Sequence, residues 1–176
     1  MKQRGVTLTE LLIVLTMAAI LVAIAVPSYG FLVTSGRLTS ATNDMLLALH
    51  LARSEAIKRG TRVTVCKTSN PDASAPDCDS SAKWEQGWLV FVDGGVRGRV
   101  DGGDRVIQAY RDVSPWARIA TGFNYRNYVS YMPMGTSQGS SGLANDTFQI
   151  CVSGQRRDIV VSSGGRPRVV SPGVCP

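Results

Sequence analysis

Apolar and polar positions divide the chain into three regimes. From Leu8 to Val26, nineteen residues carry a single charge, Glu10. At 1.5 Å per residue that length just spans about 30 Å of hydrocarbon. From Ser35 to Arg59, Leu38, Met45, Leu49, Ala52 and Ala56 recur at three- or four-residue spacing, and Arg53, Glu55, Lys58 and Arg59 fall on other faces. That period predicts an amphipathic helix, with Glu55 and Arg59 four apart and Gly60 as its C-cap. One long helix, with kinks expected near Pro27 and Gly36, therefore leads away from the apolar segment. Beyond Gly60 the pattern changes to short runs rich in Val, Ile, Tyr and Phe, at residues 61–68, 87–93, 104–111, 127–133, 147–153 and 157–163. Gly, Asp and Ser clusters separate them, so they read as strands. No helical period recurs, which argues against parallel crossovers. The predicted fold class is α+β, a long N-terminal hydrophobic helix packed on an antiparallel β-sheet or small sandwich. Residues 70–83 read as a polar loop and 131–146 as a Gly/Ser-rich, mobile one.

Length allows one domain with a modest core beyond the first thirty residues. The net charge is +6, and Lys2 and Arg4 precede the apolar run. Basic residues on that side keep the N-terminus cytoplasmic and send the remainder across the membrane. The mild excess permits anionic partners without requiring them. Cys66, Cys78, Cys151 and Cys175 are widely spaced, with no CxxC, which argues against zinc. An even count fits two disulfides formed in an oxidising compartment. Three pairings satisfy the count. Cys66–Cys78 with Cys151–Cys175 is favoured because each closes a local loop.

Glu10 does not suit a plain anchor. A carboxylate in hydrocarbon costs on the order of 2–3 kcal/mol. A cleaved secretory signal is equally awkward, because after Ala23 and Ala25 the residue following the cut would be Pro27.

Three further constellations carry candidate chemistry. Residues 93–104, DGGVRGRVDGGD, place Asp93, Gly98, Asp101 and Asp104 at calcium-loop positions, but Gly95 and Arg97 break the pattern, so a glycine-rich hairpin is the better account. His50 is the only histidine and sits mid-helix; no GxSxG, HExxH or P-loop occurs. Catalysis, a metal and a cofactor are therefore not expected. The C-terminal segment is more informative. Arg156 and Arg157 precede a strand, Gly164 and Gly165 make a turn, and Arg166 and Arg168 follow it, with Asp158 the one acid between residues 151 and 176. Two residues apart on an extended chain, Arg166 and Arg168 face one side. Arginine offers phosphate bidentate, charge-assisted contacts. The plainer reading is a solvated hairpin with ordinary surface arginines.

Gly5, Val6, Thr7, Leu8, Thr9 and Glu10, followed by the apolar run, resemble the class III signal of type IV pilins and type II secretion pseudopilins. The resemblance implies a leader at residues 1–5, cut after Gly5 by a prepilin peptidase. It implies an N-methylated Val6, where the family more often has Phe or Met. Residues 6–27 would form a transmembrane and filament-core helix, and residues 28–176 an exported globular domain. Glu10 would pair with the N-terminal amine of a neighbouring subunit, a contact acting in register and assembly.

LARSEAIKRG (51–60), GWLVFVDGG with DGGDRVI, and the late GRPR extend the likeness over the whole chain, which is similar to the FimT/FimU/GspH group of minor pilins and pseudopilins. Gly165-Arg166-Pro167-Arg168 matches the GRxR motif associated with DNA binding in FimT-type minor pilins. The resemblance thus implies Arg166 and Arg168, with Gly165, as DNA-binding residues. Gln155, Arg156 and Arg157 are supporting candidates on charge and proximity. The expected function is non-specific binding of double-stranded DNA for uptake in natural transformation. Expected partners are other minor and major pilins, the prepilin peptidase and, before assembly, the inner membrane of a Gram-negative cell. FimU-like priming of pilus assembly and a GspH-like role in type II secretion are the alternatives.

Overall fold

A computed structural model describes residues 7–111, 116–170 and 173–175, and of residues 26–28 the backbone only. The chain divides into two compact units, one ending at Gly36 and the other beginning at Arg37. Helix α1 (Leu8–Arg59) belongs to both.

In the first unit, Thr7 caps the helix: its Oγ1 accepts the N–H of Glu10 at 3.3 Å and its carbonyl that of Leu11 at 3.2 Å. Thr7 and Glu10 stand at capping-box spacing, and a carboxylate in the first turn also suits the helix dipole. Every described side chain from Leu8 to Ala25 is exposed. This is a helix long and apolar enough to cross a membrane.

In the second unit the helix is amphipathic, as its period predicts. Leu38, Met45, Leu49, Ala52 and Ala56 are buried, joined by Ala41, Thr42 and Ala48. Gly60 ends the helix at φ 63°, the left-handed conformation a C-cap requires. Among the described residues nine strands follow: β1 (Val63–Lys67), β2 (Gly87–Val92), β3 (Arg105–Arg111), β4 (Ala117–Thr121), β5 (Tyr128–Tyr131), β6 (Ser137–Gly139), β7 (Asp146–Val152), β8 (Gln155–Val161) and β9 (Pro167–Val170). They form two antiparallel sheets, sheet A in the order β3-β2-β1-β5-β6 and sheet B in the order β4-β7-β8-β9. The helix stripe, Val63, Val65, Trp88 and Val90 of sheet A, and Ile119, Phe148, Ile150, Ile159 and Val161 of sheet B share one core.

All six expected strands are present; β4, β6 and β9 are additional. Residues 131–146 need correction. Their Gly/Ser content predicts a mobile loop, yet they contain β6, and Tyr131, Ser137 and Gly139 are buried. Their glycines serve turn geometry rather than linker flexibility. Gly135 and Gly142 sit at φ 79° and 91°. A Cβ on Gly139 would lie 2.1 Å from the Asn124 carbonyl.

Both disulfides have the local pairing, Cys66–Cys78 with Cα atoms 5.7 Å apart and Cys151–Cys175 at 5.9 Å. The first ties the 70–83 loop to sheet A. There Cys66, Leu89 and Phe91 form a second small core, with Cys78 and Val100 packed on it from the flanking loops.

Candidate nucleic-acid interface

The turn that carries the C-terminal arginines has a defined construction. The N–H of Gly165 donates to Ser162 O at 2.8 Å, and the N–H of Ser162 donates to Arg166 O at 3.2 Å. With Gly165 at φ 73°, this is a type I turn closed by a G1 bulge. The neighbouring hairpin repeats the pattern: the N–H of Gly135 donates to Met132 O at 2.8 Å and that of Met132 to Thr136 O at 2.9 Å. The two turns are stacked. Gly165 is buried, and a Cβ on it would lie 2.1 Å from Gly135 O. Glycine is thus demanded twice, by its φ and by the approach of another backbone.

A helix residue joins the two turns. Arg53 donates from Nε to Gly135 O at 3.0 Å and from Nη2 to Gly164 O at 3.4 Å. Ser137 Oγ lies 3.2 Å from Ser162 O. Sequence periodicity placed Arg53 merely off the apolar stripe. Its place in LARSEAIKRG was the signal available, but nothing local says that its guanidinium spans two distant turns.

Register assigns the arginines to faces. Arg168 stands opposite Val160. Arg166, one residue before β9, is bonded through its backbone to Ser162. Both therefore project from the face of sheet B that points away from the core, and both are exposed. Among the described residues neither makes an ion pair. The supporting candidates separate. Arg156 lies on the same outer face but is held by Asp158, with Nε–Oδ1 and Nη2–Oδ2 both 2.6 Å. That bond raises the guanidinium pKa and occupies its fork. Arg157 has the parity of Ile159 and Val161 and opposes Ile150, so it leaves β8 toward the opposite side. Gln155 lies at the start of β8, bridged to Val174. The structure brings together Gly165, Arg166 and Arg168, and does not add Arg157 to them.

Other candidates resolve locally. In the 93–104 loop the carboxylates are turned onto the loop itself and, for Asp93, onto Arg62 and Thr64 as well. Asp93 is buried and accepts from Arg62 Nη2 at 2.5 Å, Thr64 Oγ1 at 2.6 Å and the Gly98 N–H at 2.8 Å. Asp104 accepts the N–H of Gly94 at 2.9 Å and Asp101 that of Val96 at 3.0 Å. His50 is exposed on α1. Gly5 and Val6 lie outside the described residues. Glu10 lies in the first turn of α1.

An exposed apolar N-terminal helix that continues into the core of an α+β sandwich defines a pilin-like subunit. The chain belongs to the family described as Type II transport protein GspH, which matches residues 41–165, and the prokaryotic N-terminal methylation motif matches residues 1–26. It is thus a member of the FimT/FimU/GspH group of minor pilins and pseudopilins. A crystal structure of the type IV minor pilin FimU of Pseudomonas aeruginosa is similar at TM-score 0.56 and 17% identity, covering 77% of this chain and 90% of that one. The minor pseudopilin EpsH of the Vibrio cholerae type II secretion system is similar at TM-score 0.53 and 12% identity, covering 80% and 97%. At these identities the likeness concerns the fold. No curated protein matches the chain at a significant level.

Proposed function

We propose that this subunit is a FimT-like minor pilin of a type IV pilus that binds duplex DNA without sequence preference, for uptake in natural transformation. The observation that carries this reading is the turn at Gly165. Two exposed arginines, unpaired among the described residues, leave a backbone held by Arg53 and Gly135. A rigid mount lowers the ordering cost of each phosphate contact, and contacts to phosphate carry no sequence information. Arbitrary DNA is the substrate that such a site suits. The protein performs no chemistry; it supplies adhesion by electrostatics and assembly by helix packing. In the same reading, a prepilin peptidase cuts after Gly5 and Val6 is methylated. Glu10 then pairs with the N-terminal amine of a neighbour as the subunit passes from inner membrane to pilus, among other minor and major pilins.

The test is a mobility-shift titration of the detergent-solubilised full chain over a salt series. Affinity should fall linearly on logarithmic axes, with a slope near -0.9 per phosphate contacted. The Arg166→Ala, Arg168→Ala double variant should flatten that slope by about 2 and weaken binding equally on unrelated sequences. Unchanged affinity in the double variant would refute the site. A wild-type chain with no salt-dependent affinity would favour the second reading, an assembly subunit of FimU or GspH type without a DNA role. That reading is supported by the likeness to FimU and EpsH and by the family's description.

A further inference from the structure

We infer that the whole outer face of sheet B, and not the turn at Gly165 alone, is the duplex-binding surface, with Arg118 of β4 as a further phosphate contact. This rests on the DNA reading above and extends it. Register places Arg118 opposite Cys151, and Cys151 opposite Arg156. Ala120, Gln149, Asp158 and Val170 form the next row, and Thr147, Val160 and Arg168 the one after. Arg118 and Arg168 thus share a face, three strand spacings apart across the sheet and four residues apart along it. At about 4.8 Å per spacing and 3.4 Å per residue their Cα atoms are roughly 20 Å apart.

The charges on this face do not cancel. Among the described residues its one carboxylate, Asp158, is taken by Arg156, and Arg118, Arg166 and Arg168 have no acidic partner. All three are exposed. The side chains between them include Thr147, Gln149 and Ala120, with Val160 and Val170 beside Arg168; none is larger than glutamine, so the cations stay accessible. The C-terminal segment reaches the face through Cys151–Cys175, in the row of Arg118.

The occupant is a duplex rather than a single strand for two reasons. A single strand is gripped by aromatic platforms on which bases stack. None of the strand residues facing outward on sheet B is aromatic. A duplex is straight over this distance, since its persistence length is about 50 nm. It also presents one phosphate per ~1.7 Å of axis, so a span of roughly 20 Å meets phosphates at both ends.

Four variants of the full chain in non-ionic detergent test this: Arg118→Ala, Arg118→Lys, the Arg166→Ala, Arg168→Ala pair, and Arg105→Ala. Arg105 is exposed on β3 of the other sheet and controls for net charge. Each is titrated with a random-sequence duplex and with oligo(dT) across 50–200 mM salt, and its thermal melt recorded. Arg118→Ala should flatten the salt slope by about 0.9 and weaken duplex binding several-fold at 50 mM. Arg118→Lys should restore the slope, and Arg105→Ala should leave it unchanged. The extension is wrong if Arg118→Ala matches Arg105→Ala while the arginine pair still abolishes binding; the DNA reading then stands. Tighter binding of oligo(dT) than duplex overturns the duplex assignment. No salt-dependent binding by the wild-type chain overturns the DNA reading itself.

Discussion

On sheet A, Cys66, Leu89 and Phe91 point away from the central core, yet each is fully buried, because the loops around Cys78 and Val100 close over them. On sheet B the corresponding positions hold Arg118, Ala120, Thr147, Gln149, Val160 and Arg168, and none of them is buried. The strands alternate alike; the connections differ. Nineteen residues separate β1 from β2 and twelve separate β2 from β3, long enough to fold back over the face. By contrast β7 and β8 are joined by Ser153 and Gly154 alone, at φ 46° and 84°, the signature of a type I′ turn. Tight turns leave a sheet face bare. A bare face facing water selects polar side chains, and here it has accumulated arginine.

The largest expected break in this contrast comes from truncating each face. Phe91→Ala on the covered side should cost about 3–5 kcal/mol, against within about 0.5 kcal/mol for Gln149→Ala on the bare side. Equilibrium denaturation with urea measures both, and equal costs would show that the outer face of sheet A is not a core. Gly165→Ala should be intermediate. It forces a side chain into φ 73° and to within 2.1 Å of Gly135 O, so the turn must shift. A loss of about 1–3 kcal/mol is expected for such strain. Duplex affinity should fall with it although both arginines remain; Arg53→Met should act in the same direction. Intact affinity in a destabilised Gly165→Ala chain would separate the turn from the interface.

The smallest expected effect is acid sensitivity of the loop on sheet A. Asp79 accepts from Ser69 Oγ at 2.6 Å and from the N–H of Ser81 at 2.8 Å. The Ser69 bond first, then those from Ser81, depress its carboxyl from the ordinary 3.8 to about 2. A carboxyl depressed in the folded state stabilises above its unfolded pKa. Its contribution is therefore complete above 3.8 and is lost as pH falls toward about 2. Amide exchange in residues 69–82 should accelerate over that window, and Asp79→Asn should remove the dependence. Titration of Asp79 at an ordinary value would refute it.

Much of this protein was legible from its one-dimensional pattern. The apolar segment, the stripe from Leu38 to Ala56, the Gly60 cap and six of the nine strands among the described residues are local signals, written in spacings of two and three to four residues. The Gly5-to-Glu10 spacing pointed to the pilin group, and the family matches agree. Strand β6 was hidden because Ser137–Gly139 lacks the β-branched and aromatic residues that mark a strand, and in β4 two alanines and an arginine surround Ile119 and dilute the same signal. Gly/Ser content in 131–146 suggested mobility, whereas those residues are bonded into turns.

What local pattern could not supply was the choice among arginines. Arg156 and Arg157 are adjacent in sequence but fall on opposite faces, and one of them is bonded to Asp158. Arg118 is about fifty residues from Arg168 in the chain, yet shares its face through three antiparallel registers. Arg53 meets Gly164 across 111 residues. Local signals suffice for the elements and the class of subunit, because periodicity and capping act within a few residues. Which cations share one open surface depends on the folded chain, because sheet register and helix packing set long-range neighbours that no short window contains.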